Sequence, residues 1–131
     1  MIKARMIVEV MGWPKEAVNN ALEKVVDMMK EREQITIIKK ELGNMKKLGE
    51  KTWSNFIEIE AEYKELKDLV GAIIDFGPIS VEIISPDKVT LNLADIQDIV
   101  TDFVFKMQQI NNTLRKLLSE NILLKSGKSK K

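Results

Sequence analysis

The chain has 131 residues, 44% of them hydrophobic and 31% charged, a balance typical of one soluble globular domain. It has no cysteine and no histidine, which excludes disulfides, thiolate sites, Ser-His-Asp triads and most zinc sites. The 21 basic and 20 acidic residues leave a net charge of +1, too little for a general attraction to nucleic acid or to an anionic membrane.

The N-terminal residues 2–10 alternate between apolar and other side chains and predict a strand covered on one face. They lead into this strand without an apolar leader, so we expect no secretory signal and a cytoplasmic location. Met11-Gly12-Trp13-Pro14 predicts a turn, with the first helix starting near Pro14. Apolar residues from Val18 to Met29 recur at helical spacing and predict a stripe facing the sheet.

A hairpin is predicted next, with strands over residues 34–41 and 53–62. In the second of these strands, apolar residues alternate with Glu58, Glu60 and Glu62, so its open face is acidic. We expect cross-strand pairs between these glutamates and the lysines of the hairpin, with a divalent cation as the less favoured alternative. The lysines are Lys39, Lys40, Lys46, Lys47 and Lys51.

A second helix is predicted over residues 63–75, and Gly77-Pro78 should end it. A fourth strand follows, in which Ile79, Val81 and Ile83 form the buried face. Val89 and Leu91 could add a short edge strand before the last helix. The order β-α-β-β-α-β predicts an α+β fold of the ferredoxin-like type, a four-stranded antiparallel sheet with two helices on one face.

The last helix is predicted over residues 92–122, with Asn92 as its N-cap and Asp95 in its first turn. Seven apolar residues, here called the seam, alternate at spacings of four and three, as in a coiled coil. They are Ile96, Val100, Phe103, Met107, Ile110, Leu114 and Leu117, and Asn121 occupies the next position. We expect this helix to overhang the sheet and to provide an oligomer interface.

The predicted domain organisation is one domain over residues 1–124, which includes the last helix, and a disordered basic tail over residues 125–131. The uninterrupted apolar runs are only a few residues long, so no segment is expected to span a bilayer.

A candidate ligand site lies at the first strand-to-helix turn, at Gly12 and Trp13. Glycine there would let a ligand approach the backbone, and the following helix N-terminus attracts anions. The alternative is that glycine and proline only punctuate the chain and that Trp13 covers the end of the core. The chain lacks phosphate-loop, dinucleotide, zinc-protease and EF-hand motifs, so we expect no catalytic residue, no metal and no cofactor.

Three resemblances accompany these patterns. Residues 74–88, which lead into a helix, resemble the C-terminal ferredoxin-like extension of WYL-type regulators. The strand order with glycine at the first turn resembles ACT-type sensor domains, which implies dimerisation and amino-acid binding near Gly12. The small size and the cysteine-free, Lys- and Ile-rich composition resemble conserved small proteins common in archaea.

The sequence therefore favours a non-catalytic interaction module that forms homo-oligomers, with a dimer preferred. The first alternative is a sensor of small, amino-acid-like ligands, and the second is an accessory to RNA or the ribosome. RNA is the less favoured partner, because ferredoxin-like RNA binders stack bases on aromatic residues of the central strands, where this chain has Arg5, Ile7, Glu58 and Glu60.

Overall fold

The computed structural model describes residues 1–129, with side chains up to Asn121, and contains an antiparallel sheet and three helices. The elements are β1 (Ile2–Gly12), α1 (Lys15–Lys30), β2 (Ile35–Leu42), β3 (Lys46–Lys47), β4 (Trp53–Tyr63), α2 (Leu66–Phe76), β5 (Ser80–Ser85) and α3 (Leu93–Ser129). The α+β class, the antiparallel sheet and the long C-terminal helix are confirmed. The chain divides into two compact units, Met1–Leu91 and Asn92–Lys131.

The sheet has the order β2-β4-β1-β5, and the two-residue strand β3 also pairs with β4. β1 and β4 are the central strands and stay in one register from Ile2 opposite Tyr63 to Gly12 opposite Trp53. The described residues thus give five strands where four were predicted. The additional strand forms because Lys46 and Lys47 of the hairpin loop lie opposite Ser54 and Trp53.

The core of the first unit lies on one face of this sheet. α1 packs on β1, β2 and β4, and α2 packs on β1 and β4. The alternation of β1 and β4 sends every second side chain into this core, as predicted. Its buried members include Met6, Leu22, Met29, Ile59 and Leu69.

The first helix starts near Pro14, as predicted: Pro14 is the N-cap of α1, and its carbonyl accepts the Ala17 N–H. The predicted start of the second helix needs correction. Tyr63 was predicted in the second helix but belongs to β4, because it pairs with β1 on one side and with β2 on the other. α2 begins only at Leu66, after a reciprocal capping box between Glu65 and Asp68.

The expectation that β5 has a buried face is wrong. α2 ends as predicted at Gly77, whose φ of 55° is the left-handed conformation that glycine adopts without strain. Ile83 in β5 is nevertheless 56% exposed, because β5 is an edge strand and the two helices of this unit pack on its neighbours. Val89 and Leu91 form no strand.

The second unit consists of α3 and its cap. The Asn92 side chain accepts the Asp95 N–H at 2.8 Å, and the Asp95 side chain accepts the Asn92 N–H at 3.2 Å, so the predicted N-cap is confirmed. The helical backbone is described as far as Ser129, within the segment for which a disordered tail was predicted, and Lys130 and Lys131 lie outside the described residues. Among residues 1–129, no helix combines the length and the apolar character needed to cross a membrane.

Candidate functional site

The seam lies along one face of α3, as its spacing requires. Six of its residues are between 43% and 53% exposed, and Met107 is partly buried. At 1.5 Å per residue, the seam runs for about 33 Å from Ile96 to Leu117. An apolar strip of this length on a protein surface is a common mark of a protein-protein contact.

Charge is segregated along the same helix, a feature that the spacing of the seam does not reveal. Between Leu93 and Leu117, the acidic residues Asp95, Asp98 and Asp102 come first. The basic residues Lys106, Arg115 and Lys116 follow, and Lys106 bonds back to Asp102 at 3.5 Å. The helix therefore has an acidic first part and a basic later part.

The predicted ligand turn lies at one end of the central strands. Gly12 pairs with Trp53, and a Cβ atom at Gly12 would make only an ordinary contact, 3.9 Å from Val18. Its backbone is not in the left-handed region, so neither the conformation nor the space demands glycine. Trp13 is 67% exposed and does not cover the core.

Trp53 and two lysines join this turn, and the sequence prediction missed them. The Lys15 and Lys47 ammonium groups lie 5.2 and 5.7 Å from the centre of the Trp53 ring. Both distances are in the range of cation–π contacts. Two ammonium groups beside one partly exposed indole are suited to an anionic ligand with an apolar part. The sequence alone could not bring Trp53 to this turn, because the pairing of Gly12 with Trp53 depends on the register of β1 and β4.

Two of the three glutamates of the predicted row, Glu58 and Glu60, pair with Arg5, and no ion pair between the row and the hairpin lysines is present among the described residues. The Arg5 guanidinium lies 3.2 Å from Glu58, 3.2 Å from Glu60 and 2.9 Å from Glu82. Burial acts to lower the pKa of Arg5, but the three carboxylates outweigh it and raise that pKa above its ordinary value. Arg5 contacts glutamates of two strands because β1 lies between β4 and β5, so the Arg5 side chain has carboxylates on both sides.

A pocket of about 180 Å³ adjoins this cluster on the open face. Arg5, Lys39, Glu41, Glu58 and Glu60 line it. Among the described residues, no group of three or more acidic side chains is arranged to hold a metal ion. Arg5 bonds two of the lining glutamates, Glu58 and Glu60, and so links the strands of the sheet at this pocket.

Tyr63 is fully buried between the sheet and the helices. Its hydroxyl donates to the Met6 sulfur at 3.6 Å, and burial raises its pKa to about 12. The phenol therefore stays protonated at neutral pH and has no access to a substrate. It acts as a core residue.

Comparison with known proteins identifies a family. The model of the MJ0538 family matches residues 3–128, nearly the whole chain. That description names no activity, ligand or partner. Neither the WYL-type nor the ACT-type resemblance is shown by this match. No curated protein and no solved structure matches the chain.

Proposed function

The chain belongs to the MJ0538 family, and from that premise we propose that it is a non-catalytic module that binds a second copy of itself through α3. The observation that carries this proposal is the seam, seven apolar residues on one helix face, six of them about half exposed. Burying the exposed half of one such side chain stabilises a complex by about 1 kcal/mol. Only contact along most of the seam then exceeds the cost of association.

The fold of the first unit is compatible with this proposal. We propose that its four long strands form a ferredoxin-like plait, since β1 and β4 are central and β2 and β5 are the edges. This fold serves many unrelated functions and by itself indicates none. The absence of histidine and cysteine from the sequence, and the burial of Tyr63, support a role without catalysis.

The experiment that tests this function compares substitutions inside and outside the seam. Met107→Asp and Leu114→Asp should each convert a dimer into a monomer, because association would bury an unpaired carboxylate. The loss corresponds to at least a hundredfold weaker association, or about 2.7 kcal/mol. Sedimentation velocity across a concentration series measures it.

Phe105→Asp is the matched control. Phe105 is an exposed apolar residue on the same helix but outside the seam, and its replacement should leave the dimer intact. Equal dissociation by all three variants would show that helix solubility, and not the seam, controls association. Circular dichroism should give the same helix content for each variant.

A second function is favoured by the turn at Trp13. The lysines beside Trp53 support the binding of a small ligand that carries a carboxylate, such as a free amino acid. Both tryptophans of the chain lie in this region, so intrinsic fluorescence reports on it directly. Titration with the common amino acids should produce a saturable change that Lys15→Gln with Lys47→Gln abolishes. Lys88→Gln should retain it, and an absence of change with every amino acid would exclude this function.

A further inference from the structure

We propose that the two α3 helices of the pair run antiparallel, with Ile96 of one copy beside Leu114 of the other. This inference rests on the proposed self-association through the seam. It adds the orientation of the second copy and the register of the contact. Three features of the described helix support it: the positions of its apolar residues, the position of Asn121 and the order of its charges.

The apolar residues pair completely in one antiparallel register. Leu93, which is 81% exposed, precedes Ile96 by three residues and continues the spacing of the seam. Leu93 and the seven seam residues together give eight positions. These form two alternating sets at seven-residue spacing, and antiparallel helices place each member of one set beside a member of the other. The pairs are Leu93 with Leu117, Ile96 with Leu114, Val100 with Ile110, and Phe103 with Met107.

Asn121 excludes one neighbouring register, and the end of the seam excludes the other. In the proposed register, the position facing Asn121 would precede Leu93, where α3 begins, so the amide remains in water. A shift by one heptad in one direction would place Asn121 against Ile96 and bury its amide without a hydrogen-bond partner. A shift in the other direction would leave Leu114 and Leu117 without partners.

The charges favour the antiparallel orientation. They place the part of one helix that contains Asp95 and Asp98 at the level of Arg115 and Lys116 of the second copy. In a parallel pair, the three aspartates of one helix would instead lie at the level of the same aspartates. These charges lie outside the seam, at the sides and back of the helix, so they act across the pair only at long range, where physiological salt partly screens them. The helix dipoles also oppose each other in the antiparallel pair.

The competing arrangement is a parallel coiled coil, in which Asn121 would pair with Asn121 of the second copy. A single asparagine at such a position is a known determinant of register. This arrangement aligns like charges along the first three turns, and the antiparallel one does not. An experiment that reads orientation distinguishes them.

The sequence contains no cysteine, so a disulfide can form only between cysteines that are introduced by substitution. Ile96→Cys and Leu114→Cys variants are each oxidised alone and as a mixture in which one variant is isotope-labelled. In the antiparallel pair the two Ile96→Cys positions are about 27 Å apart, far beyond the roughly 4.4–6.8 Å between Cα atoms that a disulfide allows. The prediction is a covalent dimer containing one copy of each variant, identified by peptide mass, and little cross-linking of either variant alone.

Other outcomes contradict the inference in distinguishable ways. Cross-linking of each variant with itself would establish the parallel arrangement while leaving self-association intact. A second pair, Val100→Cys with Ile110→Cys, tests the same register. If the protein sediments as a dimer but either mixture of variants forms no cross-link, the proposed register is wrong. A protein that sediments as a monomer would remove the proposed function and the inference together.

A second measurement uses the unmodified protein, so no substitution can alter its folding. Opposite charges at the same level of the antiparallel pair attract, so raising sodium chloride from low to physiological concentration should weaken dimerisation slightly. A parallel pair would respond in the opposite direction, because salt screens its repulsion. Stronger association in high salt would therefore contradict the proposal.

Discussion

At the scale of single residues, Tyr63 shows how pairing and burial decide a role that local pattern leaves open. Its position after the glutamate row is compatible with either a strand end or a helix start. The structure places it at the end of β4 with partners in both β1 and β2. The same burial that completes the core also raises its pKa to about 12. Stability in alkaline solution should depend on this residue.

The phenol of an unfolded chain ionises near pH 10, while that of folded Tyr63 ionises near pH 12. Between these values the unfolded state has released a proton that the folded state retains, so the free energy of unfolding falls as pH rises. The full contribution is present below pH 10, and about 2–3 kcal/mol is lost by pH 12. Denaturant unfolding at a series of alkaline pH values measures this loss.

Tyr63→Phe is the control for the other groups that titrate in this range. It keeps the ring and removes the ionisation, so its alkaline loss of stability should be smaller by the same 2–3 kcal/mol. Tyr63 is the single tyrosine of the chain, so tyrosinate absorbance reports on it alone. An absorbance midpoint near pH 10 in protein that is still folded would contradict the burial described here.

At the scale of elements, Arg5 shows what register adds to a charge pattern. The sequence predicts paired glutamates on the open face of the sheet but offers several cations for them. Arg5 is selected because its central strand places it opposite Glu60 in β4 and Glu82 in β5. Three elements of the sheet are thus joined by one guanidinium.

Arg5→Gln should lower the melting temperature because it leaves Glu58 and Glu60 adjacent without their cation. Glu82→Gln is the matched comparison and should cost less, since the Glu82 side chain is the most exposed of the three. Added salt should restore part of the Arg5→Gln loss by screening the repulsion. Equal melting temperatures for Arg5→Gln and the unmodified protein at low salt would show that this cluster does not stabilise the sheet.

Elements that depend on residues close in sequence were predictable, and those that depend on distant residues were not. β1, β4 and α1 have regular alternation or helical spacing, and the Asn92 cap is a contact between residues three apart, so all were predicted from sequence. β3 was missed because two residues have no period. The burial of β5 was wrong because alternation reports that one face is apolar but not whether a helix covers it. The seam needs only spacing, whereas Trp53 and Lys47 join the turn through pairing between distant strands.

At the scale of the whole molecule, the two candidate functions belong to different units. The ligand turn at Trp13 lies in Met1–Leu91, and the seam lies in Asn92–Lys131. Substitutions in one unit should therefore test one function without removing the residues of the other. The central claim is that the seam joins two copies of the chain.

Sedimentation equilibrium of the unmodified protein at micromolar concentrations tests this claim most directly. We predict a mass of twice 15.0 kDa, with a monomer fraction that grows on dilution as mass action requires. A single species of 15.0 kDa across the whole concentration range would contradict the account.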